Sequence, residues 1–269
     1  MGRIRWGRWV LRGFVILVYL FLFFPIFMVI LLSFTENITI LNLSRLTLKW
    51  YRQLWRNGAV IRALLFSVQL GLICAVVATV LGTLAAFAIV RHSFRGKALL
   101  QAALFSPMVF PEIITAVAVL SFFTLLQVPR GYATLIIGHT LLILPYVISV
   151  TSARLYGFNR ALEEAALNLG ATPVRMLAEI TLPLIAPALI GAAFIAFKIS
   201  FDNVVGSLFW SSLKDQPLPV LVFAMLRFEL TPMINAIGTL IVVVSLSCIS
   251  IYQLLQLSRG APSEAGSGR

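Results

Sequence analysis

The chain has 269 residues, of which 60% are hydrophobic and 11% are charged, and its formal net charge is +12. A typical soluble domain is roughly half apolar and about a quarter charged, so this composition excludes a soluble globular protein. The apolar runs are long and lack the alternation with a period of two that a membrane β-barrel requires. We therefore predict an all-α, polytopic membrane protein with one membrane domain.

Six apolar stretches are each long enough for a transmembrane helix, which needs about 20 residues. They cover residues 13–35, 61–90, 99–127, 134–153, 180–201 and 232–257. Four arginines precede the first stretch, but it is too long for a signal peptide and lacks a small-residue cleavage site, so we predict an uncleaved span. The membrane domain is expected to cover residues 1–257. Residues 258–269 have the Gly, Ser and Pro content of a disordered tail.

The basic residues of the loops predict the topology. Arg91, Arg95 and Lys97 lie in the second loop and Arg154, Arg160 and Arg175 in the fourth, against Arg130 alone in the third. Because cytoplasmic loops carry the excess of Lys and Arg, we expect both termini in the cytoplasm and the chain in the bacterial inner membrane. Cys74 and Cys248 fall in predicted spans, which favours two buried thiols over a disulfide.

The first outer loop is an exception, because it is also basic. One helical stripe carries positive charge and a second is apolar: the stripes are Arg45, Lys49, Arg52 and Arg56, and Leu48, Tyr51 and Trp55. This pattern is typical of an amphipathic helix at the membrane interface. A docking surface for a partner outside the cell is the alternative interpretation.

Prolines interrupt the third to fifth predicted spans, at Pro107, Pro111, Pro145 and Pro187. A proline inside a helix removes a backbone donor and costs about 3 kcal/mol or more. Membrane proteins tolerate such breaks where neighbours or a water-lined cavity satisfy the freed groups. The breaks are compatible with a translocation path, and equally with kinks that serve packing.

A polar insert at residues 159–183 separates the fourth and fifth spans. Asn159 is a candidate N-cap for a short helix, and Glu163 and Glu164 lie near the N-terminus, where acidic residues are favourable. Arg160 and Glu164 are four residues apart and face the same side of this helix.

The second half of the insert predicts a turn and a second short helix. Ala165 and Ala166 have small side chains, so that another protein can approach this face of the helix closely. Gly170 permits a left-handed turn. The second helix is expected from Pro173 to about Ala178. The fifth span then begins with Ile180, Leu182 and Pro183. The product is an elbow joined stiffly to a transmembrane helix.

The spacing of Glu164-Ala165-Ala166, Gly170, Ile180 and Leu182-Pro183 resembles the EAA loop, by which membrane subunits of ABC importers hold their ATPase partners. The resemblance implies that Arg160 to Pro183 form the ATPase-coupling site. The chain has no G-x-x-x-x-G-K-[ST] phosphate loop. We therefore expect ATP and Mg²⁺ to bind a separate ATPase chain, and no cofactor, metal site or catalytic residue in this one.

Motifs along nearly the whole chain resemble the C-type permease subunit of spermidine/putrescine ABC importers. They are Leu46 to Tyr51, Arg91 to Lys97, Pro111-Glu112-Ile113, His139 to Pro145, Ser200 to Asn203, Leu218-Pro219, Met225, Arg227, Pro232 and Asn235-Ala236. The resemblance implies a type I importer fold with six transmembrane helices, cytoplasmic coupling helices and polyamines or a related polar solute as cargo. It also implies a second homologous permease in a heterodimer, an ATPase dimer, an extracytoplasmic substrate-binding protein and no nucleic acid.

Acidic groups at membrane depth are the candidate solute contacts, since burying a charge there costs roughly 2.5–3.5 kcal/mol on insertion scales. Glu112 stands where the family pattern has Asp, and it either lines the path or starts a helix. Asp202 stands at the first of two family acids, and the second is Asn203. Lys198 lies four residues before Asp202 and either pairs with it, which makes Asp202 structural, or meets an anionic group of the solute.

Three aromatic residues, Phe201, Phe209 and Trp210, are candidates for cation–π contacts with a cationic solute, or for anchors in the interfacial aromatic belt. Two other functions remain open. One is a secondary transporter that needs no ATP, against which stands the lack of a visible internal repeat in this chain. The other is an intramembrane enzyme. His92 lies in a basic loop, and His139 is alone in its span, with no catalytic motif near it. A structural hydrogen bond is the preferred interpretation of His139.

Overall fold

The computed structural model describes residues 2–36, 46–228 and 231–259, and these residues form helices and loops without a strand. The helices are α1 (Gly2–Leu32), α2 (Lys49–Arg56), α3 (Gly58–Arg91), α4 (Lys97–Val109), α5 (Glu112–Leu125), α6 (Tyr132–Tyr156), α7 (Ala161–Asn168), α8 (Pro173–Met176), a π-helical turn (Leu177–Thr181), α9 (Leu182–Phe201), α10 (Val205–Trp210), α11 (Leu218–Phe228) and α12 (Met233–Arg259). The predicted all-α class is confirmed.

The chain divides into two compact units, Met1–Ile61 with Val222–Val244 and Arg62–Leu221 with Ser245–Arg269. In the first unit, side chains of α2 hold the end of α1. Trp50 Nε1 donates to the carbonyl oxygen of Thr35 at 2.7 Å, and the Tyr51 hydroxyl lies 2.7 Å from Ser33 Oγ. Leu54, on the same side of α2, is fully buried. The short helix is therefore fixed at the end of the first apolar helix.

In the second unit, α6 is the central helix and packs on α9 and α4, while α10 packs on α5. Nearly half of the residues of α6 are buried, because apolar residues of the neighbouring helices pack around them. Gly82 lets α3 approach α6, since a Cβ at this position would clash with Val147. Both cysteines are free; Cys74 is buried among these helices as predicted, whereas Cys248 is only half-buried.

The helices give fewer clear spans than the six predicted. By length and composition, four described helices can cross a membrane: Arg8–Leu32, Gly58–Arg91, Tyr132–Tyr156 and Pro173–Phe201. The pair α4 and α5 counts as a fifth, and it is bent by 115°. The apolar part of α12, Met233–Cys248, is shorter than these. The exact number of six spans is not confirmed.

The predicted third span, residues 99–127, is not one straight helix. Pro111 has no N–H for the helix, and Phe110 before it is extended, with ψ of 148°, as the residue before a proline prefers. The chain therefore bends sharply between α4 and α5. An open groove of about 460 Å³ lies beside this bend, lined mostly by apolar side chains with Ser106 and Thr115.

The polar insert at residues 159–183 also differs from expectation, because its second short helix does not stop near residue 178. A π-helical turn at Leu177–Thr181 joins α8 directly to α9, so that Pro173–Phe201 forms one continuous rod. At the other end of the chain, α12 continues to Arg259, into the predicted tail. The rest of that tail, residues 260–269, and Arg45 of the basic stripe lie outside the described residues.

Candidate functional site

The first part of the polar insert forms the predicted capped helix. Asn159 Oδ1 accepts a hydrogen bond from the Ala161 backbone N–H at 3.1 Å, which satisfies one of the free donors at the start of α7. Glu163 and Glu164 occupy the first turn of α7, where the helix dipole favours negative charge. The sequence prediction for Asn159 is confirmed.

Gly170 makes the turn between the two short helices. Its φ is +87°, a left-handed conformation that glycine adopts without steric cost. The Ala171 N–H donates to the Ala166 carbonyl at 3.0 Å and the Gly170 N–H donates to that of Leu167 at 3.0 Å, which is the bonding of a Schellman cap. Thr172 then caps α8 by accepting from the Arg175 N–H at 3.3 Å. The elbow is thus defined by backbone geometry at both sides of the turn.

Glu163 is the centre of a contact that the sequence did not predict. Its Oε1 accepts from Arg91 Nη2 at 2.9 Å and from Thr181 Oγ1 at 2.7 Å. Arg91 ends α3, and its guanidinium also lies over the Phe158 ring, 5.5 Å from the centroid. One carboxylate therefore links α3, α7 and the π-helical turn. Arg160 and Glu164, expected on one side of the helix, form no ion pair with each other in the described part of the chain.

The rest of the elbow is open to a partner. Arg160, Glu164, Ala165 and Pro183 are exposed, Ile180 and Leu182 are half-buried, and Ala166 is buried. Apolar side chains on the same segment are also exposed, above all Leu169 at 89% and Val174 at 78%. Exposed apolar side chains grouped on a polar loop are typical of a protein-binding surface.

At the candidate solute path, Glu112 begins α5 immediately after Pro111 and is exposed. Asn203, which is buried, donates from Nδ2 to Glu112 Oε1 at 2.5 Å. The two residues are 91 positions apart in the sequence. The tertiary structure thus brings Glu112 and Asn203 together, which are two of the six residues that the sequence assigned to the path. The group that donates to the Glu112 carboxylate is a neutral amide.

A buried chain of hydrogen bonds continues from Asn203. Its Oδ1 accepts from the Ser207 backbone N–H at 3.0 Å and from the Ser207 hydroxyl at 3.4 Å. His139 Nε2 lies 3.0 Å from the same hydroxyl, and His139 Nδ1 lies 2.7 Å from Ser200 Oγ. Both ring nitrogens of this buried histidine are therefore used, which confirms the structural interpretation of His139. The chain fixes the amide of Asn203 with its Nδ2 towards Glu112.

Lys198 and Asp202 form the predicted ion pair, with 3.0 Å between Nζ and Oδ2. Ser245 Oγ donates to the other carboxylate oxygen of Asp202 at 3.4 Å. The Lys198 side chain is 49% exposed and that of Asp202 is 29% exposed. The pair is partly open, so that Lys198 neutralises Asp202 and still presents an ammonium group at the surface.

Two aromatic residues lie elsewhere than expected. Phe201 and Trp210 are buried in the core, because Phe201 stacks on Phe197 at 5.6 Å and Trp210 Nε1 donates to the Ala116 carbonyl at 3.0 Å. Neither ring is open to a cation in this structure. Phe209 packs against the same core and is partly buried.

Asp215, in the loop between α10 and α11, bonds with the start of another helix. Its Oδ2 accepts from the Tyr132 backbone N–H at 3.2 Å, at the start of α6, and from Ser212 Oγ at 3.1 Å. Asp215 is thus a capping residue for the central helix. The 83 residues that separate it from Tyr132 hide this role from a sequence pattern.

Residues 78–258 match a protein family described as the inner membrane component of binding-protein-dependent transport systems. The chain belongs to this family. It is the permease subunit of an ABC importer, and such subunits span the membrane and are not enzymes themselves. The alternative of an ATP-independent secondary transporter is not supported.

Relatives extend the likeness over nearly the whole permease. A spermidine/putrescine transport system permease protein PotC from Haemophilus influenzae is 35% identical, over 93% of this chain and 97% of that protein. A putrescine transport system permease protein PotI from Escherichia coli is 36% identical, over 82% and 81%. The recognised resemblance to polyamine permeases is confirmed.

A solved structure shares the fold of the permease. The crystal structure of a bacterial ABC transporter for the import of the acidic polysaccharide alginate superposes with a TM-score of 0.77, at 16% identity, and covers 96% of this chain and 98% of that one. Identity this low supports the fold alone. The importer permease fold expected from the sequence is thereby confirmed.

Proposed function

We propose that this permease carries polyamines, such as spermidine or putrescine, or a closely related small cation across the bacterial inner membrane. The exposed carboxylate of Glu112, at the bend between α4 and α5, is the observation that supports a cationic cargo. The names of the relatives support the same class of solute.

The local charge balance explains why Glu112 decides the cargo. Asn203 holds Glu112 through a neutral amide, and no cation among the described residues forms an ion pair with Glu112. Lys198 cancels the charge of Asp202 at 3.0 Å. Because an unpaired charge at membrane depth is costly, a passing ammonium group that pairs with Glu112 is bound favourably. We assign Glu112 and Asn203 to the solute path, and Asp202 and Lys198 to its edge.

Energy is supplied by a separate ATPase dimer, which binds ATP and Mg²⁺ and docks on the elbow. The coupling surface is formed by residues that are exposed or that fix the elbow: Arg160, Glu163, Glu164, Ala165, Ala166, Gly170, Ile180, Leu182 and Pro183. The continuous rod Pro173–Phe201 joins this surface to Lys198 and to the start of the Asn203 turn. Movement of the ATPases is thus carried to the solute path without a flexible joint.

The full importer contains a second, homologous permease, with which this chain forms a heterodimer, and a substrate-binding protein outside the membrane. Alternating access requires that the two states of the importer contact the solute and the binding protein differently. In this topology the elbow lies in the cytoplasm, as do both termini.

Reconstitution tests this proposal directly. We expect vesicles with this permease, its partner permease and the ATPases to accumulate radiolabelled spermidine or putrescine only when both ATP and the binding protein are present. Vesicles without the ATPases are the control. Accumulation by this chain alone, in the absence of ATP, would contradict the proposal.

Lys198 favours a second candidate, a solute that also carries a carboxylate or a phosphate. If Lys198 limits polyamine transport, Lys198→Thr should raise the apparent affinity for spermidine severalfold, because Asp202 loses its neutralising partner and adds a second negative charge. The measurement is the KM of uptake. Lys214→Thr removes an exposed lysine outside this pair and should leave the KM unchanged. An unchanged KM in Lys198→Thr would show that the path does not sense this charge.

A further inference from the structure

The outward side of α2 carries a basic face, which consists of Lys49, Arg52 and Arg56. The three side chains are exposed and fall within one narrow sector, because they are spaced three and four residues apart on a helix. They line an open groove of about 500 Å³ with Thr47 and Gln53. Helix α2 has no acidic residue, and none of the three cations forms an ion pair within the described residues.

The position of α2 places this basic face at a membrane surface. Arg8–Leu32 is the most hydrophobic of the apolar helices, with a mean hydropathy of 3.1. Trp50 and Tyr51 bind the residues directly after its end, and the Thr47 N–H donates to the Phe34 carbonyl at 2.7 Å. A helix tied so closely to the end of a transmembrane segment lies at the level of the lipid headgroups.

An apolar strip runs beside the basic face. It consists of Leu46, Leu48 and Trp55, which are 61%, 55% and 63% exposed. Tryptophan and apolar side chains next to Lys and Arg are typical of helices that lie in the membrane interface, with the apolar side towards the acyl chains and the basic side towards the headgroups. A surface that binds only an acidic protein would not need the apolar strip.

We propose that the basic face of α2 binds the headgroup phosphate of an anionic phospholipid, such as phosphatidylglycerol. Two arginines and a lysine supply the charge, and the guanidinium groups can each bind phosphate oxygens with two hydrogen bonds. Leu48 and Trp55 contact the adjoining acyl chains. The lipid holds α2, and with it the outer end of α1, at a fixed depth in the bilayer.

Native mass spectrometry of the assembled importer tests this site. The complex in detergent is titrated with phosphatidylglycerol and, separately, with phosphatidylcholine, and the lipid-bound fraction is measured. We expect the double variant R52Q/R56Q to raise the apparent Kd for phosphatidylglycerol by about tenfold and to leave that for phosphatidylcholine unchanged. R52K/R56K keeps the charges and loses the paired guanidinium hydrogen bonds, so its Kd for phosphatidylglycerol should lie between those of the wild type and R52Q/R56Q. This variant measures the site even if the glutamine variant fails to assemble.

R130Q/K214Q is the matched control, since it removes two exposed cations outside α2. It should bind phosphatidylglycerol as the wild type does. An equal loss of affinity for phosphatidylglycerol in R52Q/R56Q and R130Q/K214Q would show that only the total charge matters, and the proposed site would be wrong. An unchanged Kd in R52Q/R56Q would also contradict the site. If R52Q/R56Q instead keeps phosphatidylglycerol and loses the substrate-binding protein, the basic face is a protein-docking surface and the lipid proposal is wrong.

Discussion

Replacing Glu112 by glutamine is expected to lower polyamine uptake at least tenfold. Glutamine has nearly the same shape as glutamate and its carbonyl oxygen can still accept from Asn203 Nδ2, so the change removes the charge and keeps the hydrogen bond. At an effective dielectric constant of about 20, opposite unit charges about 4 Å apart attract by about 4 kcal/mol. Loss of about a third of this attraction corresponds to a factor of about ten in affinity.

The measurement is the initial rate of ATP-dependent spermidine uptake in reconstituted vesicles, with the amount of assembled complex and the ATPase rate measured in parallel. Glu112→Asp restores the residue typical of the family and should keep most of the activity. If Glu112→Gln transports like the wild type while Glu112→Asp does not, the length of the side chain matters rather than its charge. The cargo assignment would then lose its main support.

The second large effect is expected from Gly170→Val. A residue other than glycine in the left-handed backbone conformation costs about 1–2 kcal/mol. The steric conflict is greater than usual for a β-branched residue such as valine. No neighbour would meet the new Cβ within 4 Å, so the effect comes from the backbone alone. Relief of the strain changes the angle between α7 and α8. We expect uptake to fall at least tenfold while ATP hydrolysis by the complex continues.

Gly96→Val is a well-matched control, because Gly96 also has a φ of +87° and an added Cβ would likewise meet no neighbour within 4 Å. It lies between α3 and α4, outside the elbow segment. The two variants should lose similar stability in thermal unfolding, whereas only Gly170→Val should lower the ratio of transported solute to hydrolysed ATP. Equal coupling ratios in the two variants would mean that the elbow angle does not transmit the ATPase motion.

Local features of the fold were predictable from the sequence. The cap at Asn159, the left-handed Gly170 and the pair Lys198–Asp202 all join residues within a few positions of each other, where side-chain type and spacing decide the geometry. The continuation of α8 into α9 is missing from the prediction because a π-helical turn leaves no simple sequence signal. The bend at Pro111 was recognised as a break, but its angle of 115° depends on the packing of α4 and α5 on α6 and α10.

The candidate sites were predictable only in part. The residues proposed for coupling stand out because their spacing is conspicuous in an apolar chain. In the sequence Arg91 stands out as a positive loop residue and as part of a family motif, and neither feature indicates that it is the ion-pair partner of Glu163. Trp210 is a path candidate in the sequence because an aromatic ring can make a cation–π contact with a cationic solute, whereas in the structure its N–H donates to the Ala116 carbonyl inside the core.

Contiguous residues suffice to predict an α-helical membrane permease with a loop that resembles the EAA motif, since hydrophobic run length and local motif spacing are both local properties of the chain. Which distant residues contact each other depends instead on how the helices pack. Glu163 meets Arg91 across 72 residues, and Glu112 meets Asn203 across 91. Hydrogen bonds and ion pairs act over about 3 Å, so such pairs exist only once the helices have packed.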